Sequence, residues 1–204
     1  MDEREAVMQI ARLPDNEAAR VAALHSMRIL DTPRENRFDR YTRIAARLFD
    51  MPIALISLVD RDRQWFKSTA GFAGDETPRD ISFCGHAILG NGVFEVRNTR
   101  RDSRFRDNPL VVERPHIHFY AGAPLVVPNG YKLGTLCIID RVPRRLSNDD
   151  KTMLKDLADM VAGEITGRSE VFGTSYEYGQ DRALDEAEDS LLLDAIKKWR
   201  KTIF

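Results

Sequence analysis

Apolar residues follow two different spacings along this chain, and the spacing separates helices from strands. In segments 15–29 and 34–50 they recur every three or four positions, which predicts two amphipathic helices. Segment 53–60 is instead a nearly continuous apolar run of strand length, typical of a strand that is covered on both faces, and segments 119–126 and 132–140 are predicted strands of a hairpin. The sequence therefore predicts helices first and buried strands afterwards.

Shorter elements are predicted from turn and capping residues. Pro128-Asn129-Gly130 separates the last two strands and predicts a hairpin turn, because Asn and Gly adopt positive φ at low cost. Glycines and a proline make residues 70–80 a predicted loop. Ser82 is a predicted helix cap, and Ser147 with Asp150 forms an imperfect capping box before the last helix of this region. This order of elements fits an α+β fold, in which helices cover an antiparallel sheet.

Changes in composition divide the 204-residue chain into four parts. Residues 1–16 are a charged N-terminal extension, and residues 17–168 form the predicted domain. Residues 169–182 contain glycines, serines and tyrosines and are a predicted linker. Residues 183–204 contain a predicted C-terminal amphipathic helix, whose apolar face needs a partner on the domain or on another chain.

Composition excludes several classes of function. Lys plus Arg number 31 and Asp plus Glu number 32, so the chain lacks the basic surplus of a general nucleic-acid binder. No apolar run approaches the roughly 20 residues of a membrane helix, and the charged first residues do not resemble a signal peptide. Two cysteines are too few for a disulfide framework. We therefore expect a cytoplasmic protein with reduced thiols and with no nucleic-acid or membrane partner.

Within residues 17–168, a series of short strings occurs in an order typical of one family. The strings are Leu30-Asp31-Thr32-Pro33, Ile56-Ser57-Leu58-Val59-Asp60, Ser82-Phe83-Cys84-Gly85-His86, Phe119-Tyr120-Ala121-Gly122-Ala123-Pro124-Leu125 and Leu133-Gly134-Thr135-Leu136-Cys137. Each string carries little weight by itself. Together and in this order they resemble the GAF domain, a small-molecule-sensing module of signalling proteins.

The resemblance implies both a fold and a way of working. It implies a GAF-like antiparallel sheet of five to six strands, with the N- and C-terminal helices on one face and a ligand pocket on the other. It also implies a homodimer held by those helices and a signalling protein partner, as in two-component signalling. Few residues follow the predicted domain, so we expect either a separate output partner or a fragment of a larger sensor.

Strand alternation assigns the pocket to one face of the last strand. Leu133, Thr135, Cys137 and Ile139 share that face, which carries the polar side chains that a ligand site needs. The predicted ligand-binding residues are Ser57, Phe66, Phe83, Cys84, His86, Phe105, Tyr120, Thr135 and Cys137. For any one of them, ordinary core packing is the competing explanation, because buried aromatic side chains mostly serve packing.

The sequence contains no common catalytic motif, and only two local patterns suggest chemistry. Cys84 and His86 lie at a predicted helix start, where backbone amides lower a thiol pKa. The step Cys84-Gly85 resembles free methionine sulfoxide reductase, but the later loop that carries a second reactive cysteine in that enzyme has none here. His116 and His118 share one face of a strand-like segment, whereas a zinc site needs three or four ligands.

The sequence thus predicts a non-catalytic sensor with no cofactor or metal, which couples pocket occupancy to its terminal helices or to a partner. Two alternatives stay open at this point. One is a protein-interaction or dimerisation scaffold that binds no ligand, and the other is a cysteine-based redox enzyme.

Overall fold

Eleven helices and strands form one antiparallel sheet with helices on both faces in residues 8–173, which the computed structural model describes. In chain order the elements are α1 (Glu17–Ser26), α2 (Asn36–Leu48), β1 (Ile53–Val59), β2 (Arg63–Ala70), β3 (Glu76–Pro78), α3 (Phe83–Ala87), β4 (Phe94–Val96), α4 (Pro109–Val112), β5 (Phe119–Val126), β6 (Lys132–Asp140) and α5 (Asn148–Gly173). The six strands lie in the order β3-β2-β1-β6-β5-β4, so the two hairpins β1-β2 and β5-β6 meet at the centre of the sheet. The predicted α+β fold is confirmed.

One face of the sheet is covered by helices from both ends of the described chain. Alternate residues of the central strands, such as Ile56 and Ile138, point to α1, α2 and α5 and share one apolar cluster with Leu24, Phe38 and Leu154. Complete burial of each such side chain stabilises the fold by about 1.5–3 kcal/mol. The predicted placement of the terminal helices on one face is therefore confirmed.

The opposite face, here called the pocket-side face, is covered by short segments instead of long helices. Leu55, Tyr120, Cys137 and Ile139 point to this side and form a second apolar cluster with α3, α4 and the segments beside them. A 3₁₀ turn at Arg79–Ile81 leads directly into α3. We call β3, this 3₁₀ turn, α3 and α4 the lid, because together they enclose the pocket-side face.

Local signals predicted most element boundaries, with two differences. The capping box at the start of α5 is confirmed, because Ser147 Oγ accepts a hydrogen bond from Asp150 N at 3.0 Å and Asp150 Oδ2 accepts one from Ser147 N at 3.0 Å. The first helix was predicted to reach residue 29 but ends at Ser26, and Arg28 has a positive φ of 48° that turns the chain. The predicted loop at 70–80 contains β3, which pairs only with the edge of β2. An edge strand this short tolerates Gly and Pro, so the composition hid it.

The end of the domain also differs from the prediction. Helix α5 continues to Gly173, so residues 169–173 are helical where a linker was expected. A glycine inside a helix costs about 1 kcal/mol relative to alanine, which is too little to end a helix that packs on the sheet. The rest of the expected linker and the expected helix at 183–204 lie outside the described residues. None of the helices within residues 8–173 is long and apolar enough to cross a membrane.

Candidate functional site

The pocket-side face carries three of the four β6 residues that alternation assigned to it. Thr135, Cys137 and Ile139 are buried there, whereas Leu133 belongs to the helix-side cluster, which corrects the prediction. The pairing of β5 with β6 explains the difference, because Gly134 opposes Leu125 while Lys132 opposes the next residue of β5. Leu133 is thus the extra residue of a β-bulge, and a bulge reverses the side-chain alternation.

A cluster of buried polar groups surrounds the sulfur of Cys84. This sulfur lies at the start of α3, and it accepts hydrogen bonds from the Thr135 hydroxyl at 3.1 Å and the Tyr120 phenol at 3.3 Å. The Ser57 and Cys137 side chains also act on this sulfur and lower its pKa, although the Ser57 hydroxyl donates its proton to Gln64. Five of the nine predicted site residues are therefore brought together around one sulfur, and we call these five residues the thiol cluster.

The thiol cluster concentrates negative charge on one of its two sulfurs. Burial raises the pKa of the Cys84 thiol, but the hydrogen bonds that the sulfur accepts outweigh burial and lower this pKa from 9.0 to about 6. The neighbouring Cys84 sulfur and burial raise the pKa of Cys137 well above its ordinary value. Because the Tyr120 and Thr135 hydroxyls both donate to Cys84, a thiolate is stabilised on this sulfur.

The backbone next to Tyr120 explains how its phenol reaches this cluster. A Cβ at Gly122 would lie 2.2 Å from the Tyr120 phenol oxygen, so only glycine lets the tyrosine ring lie flat along β5. Burial raises the pKa of Tyr120 well above its ordinary value, and the nearby Cys84 sulfur raises it further. The phenol therefore stays protonated and remains a hydrogen-bond donor.

Gln64 on β2 belongs to the candidate site, although it is absent from the ligand-binding residues predicted from the sequence. Its side-chain oxygen accepts hydrogen bonds from the Ser82 hydroxyl at 2.5 Å and the Ser57 hydroxyl at 3.3 Å. Its amide nitrogen donates to the Thr77 hydroxyl at 2.7 Å. Gln64 therefore links the lid to β1. The sequence did contain a signal for Gln64. It lies two positions before Phe66 on β2, so the two side chains share one face of the strand, and both line the cavity.

The aromatic residues of the predicted site form a stack that extends outward from the sheet. The Phe83 ring lies between Tyr120, with ring centroids 5.1 Å apart, and Phe105, at 4.2 Å. His86 meets the outer side of Phe105 with ring centroids 4.8 Å apart. Phe105 and His86 thus lie one layer beyond the thiol cluster.

His86 contacts the N-terminal extension. Its Nε2 is 2.9 Å from the carbonyl oxygen of Gln9, and Gln9 N donates to the carbonyl oxygen of Arg104. Burial lowers the pKa of His86. Part of the extension is therefore held against the outer surface of α3.

The cavity beside the thiol cluster is much smaller than expected. Its volume is about 20 Å³, which is room for one water molecule, whereas ligand pockets usually measure about 300–1,000 Å³. Phe66, Phe83, Cys84, Tyr120 and Cys137 line it together with Phe72, Leu110 and further residues. Aromatic and aliphatic side chains thus fill most of the space in which the sequence predicted a ligand pocket. A metabolite fits on this face only if the lid moves.

A larger surface cleft lies next to the small cavity, and Phe72 and Leu110 line both spaces. Its volume is about 480 Å³, and its walls include Arg114, His116 and Arg141. The side chains of Phe72 and Leu110 are both half-buried. These two side chains therefore separate the thiol cluster from solvent.

Charged side chains connect the lid to α1. The Glu17 carboxylate accepts hydrogen bonds from Arg20 at 2.8 Å and from Arg79 at 2.5 Å. Arg20 also donates to the carbonyl oxygen of Val59 at 2.7 Å, and Arg79 to that of Asp60 at 2.8 Å. Burial opposes ionisation of Glu17, but the two guanidinium groups lower its pKa to about 2. Glu17 thus joins helix α1 to the turn before α3, and its two arginine partners join both to the C-terminal end of β1.

The histidines considered for a metal site do not act as a pair. His116 lines the surface cleft, while the Nε2 atom of His118 is buried and accepts or donates no hydrogen bond. Residues 8–173 contain no group of three or more His, Cys, Asp or Glu side chains close enough to share a metal ion.

A curated protein is similar to this chain in sequence over most of the chain's length. A cyclic di-GMP phosphodiesterase of Pseudomonas aeruginosa is 45% identical over 153 residues, which make up 74% of this chain and 26% of that protein. This chain therefore spans about a quarter of the length of the curated relative that it matches.

Solved structures with the same fold are more distant in sequence. The GAF domain of a phosphoenolpyruvate-protein phosphotransferase from Coxiella burnetii has a TM-score of 0.58 at 14% identity, covering 78% of this chain and 98% of that chain. A type II free methionine-R-sulfoxide reductase from Thermoplasma acidophilum has a TM-score of 0.55 at 13% identity, covering 65% and 92%. At these identities the likeness concerns the fold alone.

The family is established by sequence and agrees with the fold. The family model for the GAF domain matches residues 33–165, which is more than half of the chain. These residues include the whole sheet and the helices α2 and α3. The chain therefore belongs to the GAF domain family, a family of modules found in sensor-type signalling.

Proposed function

We propose that this chain is a non-catalytic regulatory GAF domain, in which a small ligand on the pocket-side face changes the contacts of the terminal helices. The observation that carries the proposal is the group of buried polar side chains on that face. Ser57, Gln64 and Thr135 are buried among apolar residues, where polar groups need hydrogen-bond partners. A ligand that enters the face finds these groups already oriented by the sheet.

Entry of a metabolite requires displacement of the lid. The lid consists of short elements, and α3 and α4 have only 5 and 4 residues. Such elements have few internal hydrogen bonds and open at lower free-energy cost than the central strands. Movement of Phe72 and Leu110 would join the small cavity to the surface cleft. A ligand favours this open form only if it binds it more tightly than the closed form.

A path from the lid to the terminal helices follows from the charged contacts. Arg79 lies three residues before Ser82, and it shares Glu17 with Arg20 of α1. Displacement of the lid therefore pulls on the N-terminal end of α1. Arg40 of α2 bonds Glu164 of α5 at 2.7 Å, so a change in one of these two helices also reaches the other.

The Pseudomonas relative suggests what such a domain regulates. That protein is named a cyclic di-GMP phosphodiesterase, and this chain matches about a quarter of it. Within our proposal, the regulated output is cyclic di-GMP hydrolysis by another domain or partner. The GAF domain itself leaves cyclic di-GMP intact.

Thermal unfolding in the presence of defined probes tests the proposal. The probes are cyclic GMP, cyclic AMP, methionine and cyclic di-GMP, and we expect one of the first three to bind. At a concentration of 100 times its Kd, a ligand stabilises the folded state by about 2.7 kcal/mol, which raises Tm by about 5–10 °C. The Thr135→Val variant keeps the side-chain shape but loses the hydroxyl, so the shift should fall.

Two results would contradict the proposal. One is an unchanged Tm with all of these probes. The other is hydrolysis of cyclic di-GMP by the purified chain, measured by chromatography of the nucleotide products. An equal shift in the wild type and in Thr135→Val would place the ligand away from the pocket-side face.

The small cavity favours a second candidate function. The pocket-side face leaves a cavity of only about 20 Å³, and a protein-interaction scaffold that binds no ligand requires no larger one. In that case the binding surface lies outside the pocket-side face, and the chain acts by holding a partner or a second copy of itself.

A further inference from the structure

Two cysteines that are far apart in sequence meet on the pocket-side face. Cys84 lies on α3 and Cys137 on the central strand β6, and both side chains line the same small cavity. Both are free thiols, with 2% and 0% of their surface exposed. The second nearby thiol that redox chemistry requires, which the sequence did not reveal, is therefore present.

The surroundings of Cys84 differ from those of a cysteine that only fills space. A buried thiol in apolar surroundings is normally inert, because burial favours the neutral form. Here the hydroxyl groups of Tyr120 and Thr135 both donate hydrogen bonds to the sulfur. These donors stabilise a thiolate, which is the nucleophilic form of cysteine. Cys137 keeps its proton and is the neutral partner of the pair.

The cavity next to the pair selects for very small reactants. It is lined by both cysteines and has a volume of about 20 Å³, about one water molecule in size. Phe72 and Leu110 line both this cavity and the surface cleft, so they lie between the two spaces. A reactant of the size of hydrogen peroxide therefore needs only a side-chain rotation to reach Cys84, whereas a metabolite needs the whole lid to move.

From this geometry we infer that Cys84 and Cys137 form a peroxide-reactive thiol pair, which closes to a disulfide. In the first step the Cys84 thiolate attacks one oxygen of hydrogen peroxide. The S–O bond forms as the O–O bond breaks, and the released hydroxide takes up a proton to become water. Cys84 is then a sulfenic acid.

The second step uses the partner thiol. The Cys137 sulfur attacks the sulfenic sulfur of Cys84, so the S–S bond forms while the S–O bond breaks. The hydroxide that leaves takes the Cys137 proton as water. In total, two thiols and one peroxide give one disulfide and two waters. A disulfide needs its sulfurs about 2.05 Å apart, closer than a hydrogen bond allows, so α3 moves toward β6.

The experiment uses the full reduced chain with hydrogen peroxide as the probe. We expect both thiols to be lost together and peptide mass spectrometry to find one disulfide between Cys84 and Cys137. In the Cys137→Ser variant the reaction stops at the sulfenic acid, which dimedone labels at Cys84. In the Cys84→Ser variant Cys137 stays reduced, because its complete burial keeps the thiol in the neutral, unreactive form.

A second set of variants tests the role of the donors. Tyr120→Phe and Thr135→Val each remove one hydroxyl that faces Cys84, and each should slow the loss of thiols by about three- to tenfold. Circular dichroism checks that each variant is folded, and either variant suffices if the other does not fold. A rate that is unchanged in a folded variant would overturn the activating role of these donors.

Two further results would overturn the inference as a whole. One is that both thiols survive peroxide in the folded chain and react only after unfolding in urea. The other is oxidation of Cys137 at the wild-type rate in Cys84→Ser. The inference does not depend on the proposed ligand response, because a chain that ignores every metabolite probe can still form the disulfide.

Discussion

At the scale of single residues, buried charges connect the parts of this domain. Lys67 of β2 has a fully buried side chain, whose ammonium donates to the Thr32 hydroxyl at 2.8 Å and the Pro33 carbonyl at 2.6 Å. It also pairs with the Glu35 carboxylate at 2.6 Å. A buried charge is tolerated only when such partners replace water. Lys67 therefore ties the connection between α1 and α2 to the sheet, as Glu17 ties α1 to the lid.

Replacement of Glu17 by glutamine tests this role. We expect Glu17→Gln to lower the free energy of unfolding by about 2 kcal/mol near neutral pH, because the buried guanidinium groups of Arg20 and Arg79 lose their counter-charge. Folding lowers the pKa of Glu17 from 4.5 to about 2. Its contribution is therefore present above about pH 4.5 and is lost as the pH falls toward 2.

Urea unfolding near neutral pH and at about pH 3 measures this dependence. The difference between wild type and Glu17→Gln should be larger near neutral pH. Glu113→Gln is the matched control, because Glu113 is exposed and its variant should differ from the wild type by less than about 0.5 kcal/mol. A difference of the same size at both pH values would show that the charge of Glu17 is not responsible.

At the scale of elements, close contact between the two central strands sets the position of the thiol cluster. Gly134 of β6 opposes Leu58 of β1, and a Cβ at this position would lie 1.9 Å from the Ser57 carbonyl oxygen. No rotation of a side chain relieves such a clash with backbone. Glycine at this position therefore lets β6 pair closely with β1, so that Thr135 lies opposite Ser57 and reaches the Cys84 sulfur.

Two glycine-to-alanine substitutions separate the steric clash at Gly134 from the ordinary effect of alanine on backbone entropy. Gly134→Ala should lower the free energy of unfolding by about 3 kcal/mol or more, because the two strands must move apart. Gly163→Ala on α5 has no heavy atom within 4 Å of the new Cβ and should raise it by about 0.5–1 kcal/mol. Chemical denaturation measures both, and a neutral Gly134→Ala would contradict the close contact.

At the scale of the whole molecule, the sheet separates two kinds of cover. Long helices from both ends of the domain lie on one face, and the short elements of the lid lie on the other. Residues between Leu24 and Ile165 form both apolar clusters of the described part of the chain. A chain that ends at Gly173 should therefore fold by itself.

Removal of residues 174–204 tests this independence and the scaffold alternative together. We expect a Tm within a few degrees of the full chain, because neither core loses a described contact. Light scattering and partner capture then compare association of the two chains. Loss of association with an unchanged Tm would favour a scaffold that acts through residues 174–204. Loss of cooperative unfolding would contradict an independent core.

Much of the site was accessible from the sequence, and the remainder was not for identifiable reasons. Alternation placed Thr135 and Cys137 on the same face of β6, because side chains on one strand share a face at every second residue. It failed at Leu133, where a bulge adds one residue to β6. The sequence pattern also did not identify Gln64, because this residue links β2 to the lid through a hydrogen bond from Ser82, which is distant in sequence.

The sequence by itself determined the order of helices and strands, the membership of the GAF family and the side of the sheet that carries polar groups. These properties are recorded in spacing and in short strings, which act over a few residues. Only the tertiary structure decided that Cys84 meets Cys137 and that the space beside them holds no more than one water molecule. Both depend on how closely separate segments approach and on how fully their side chains fill the gap, and no local pattern of residues specifies such distances.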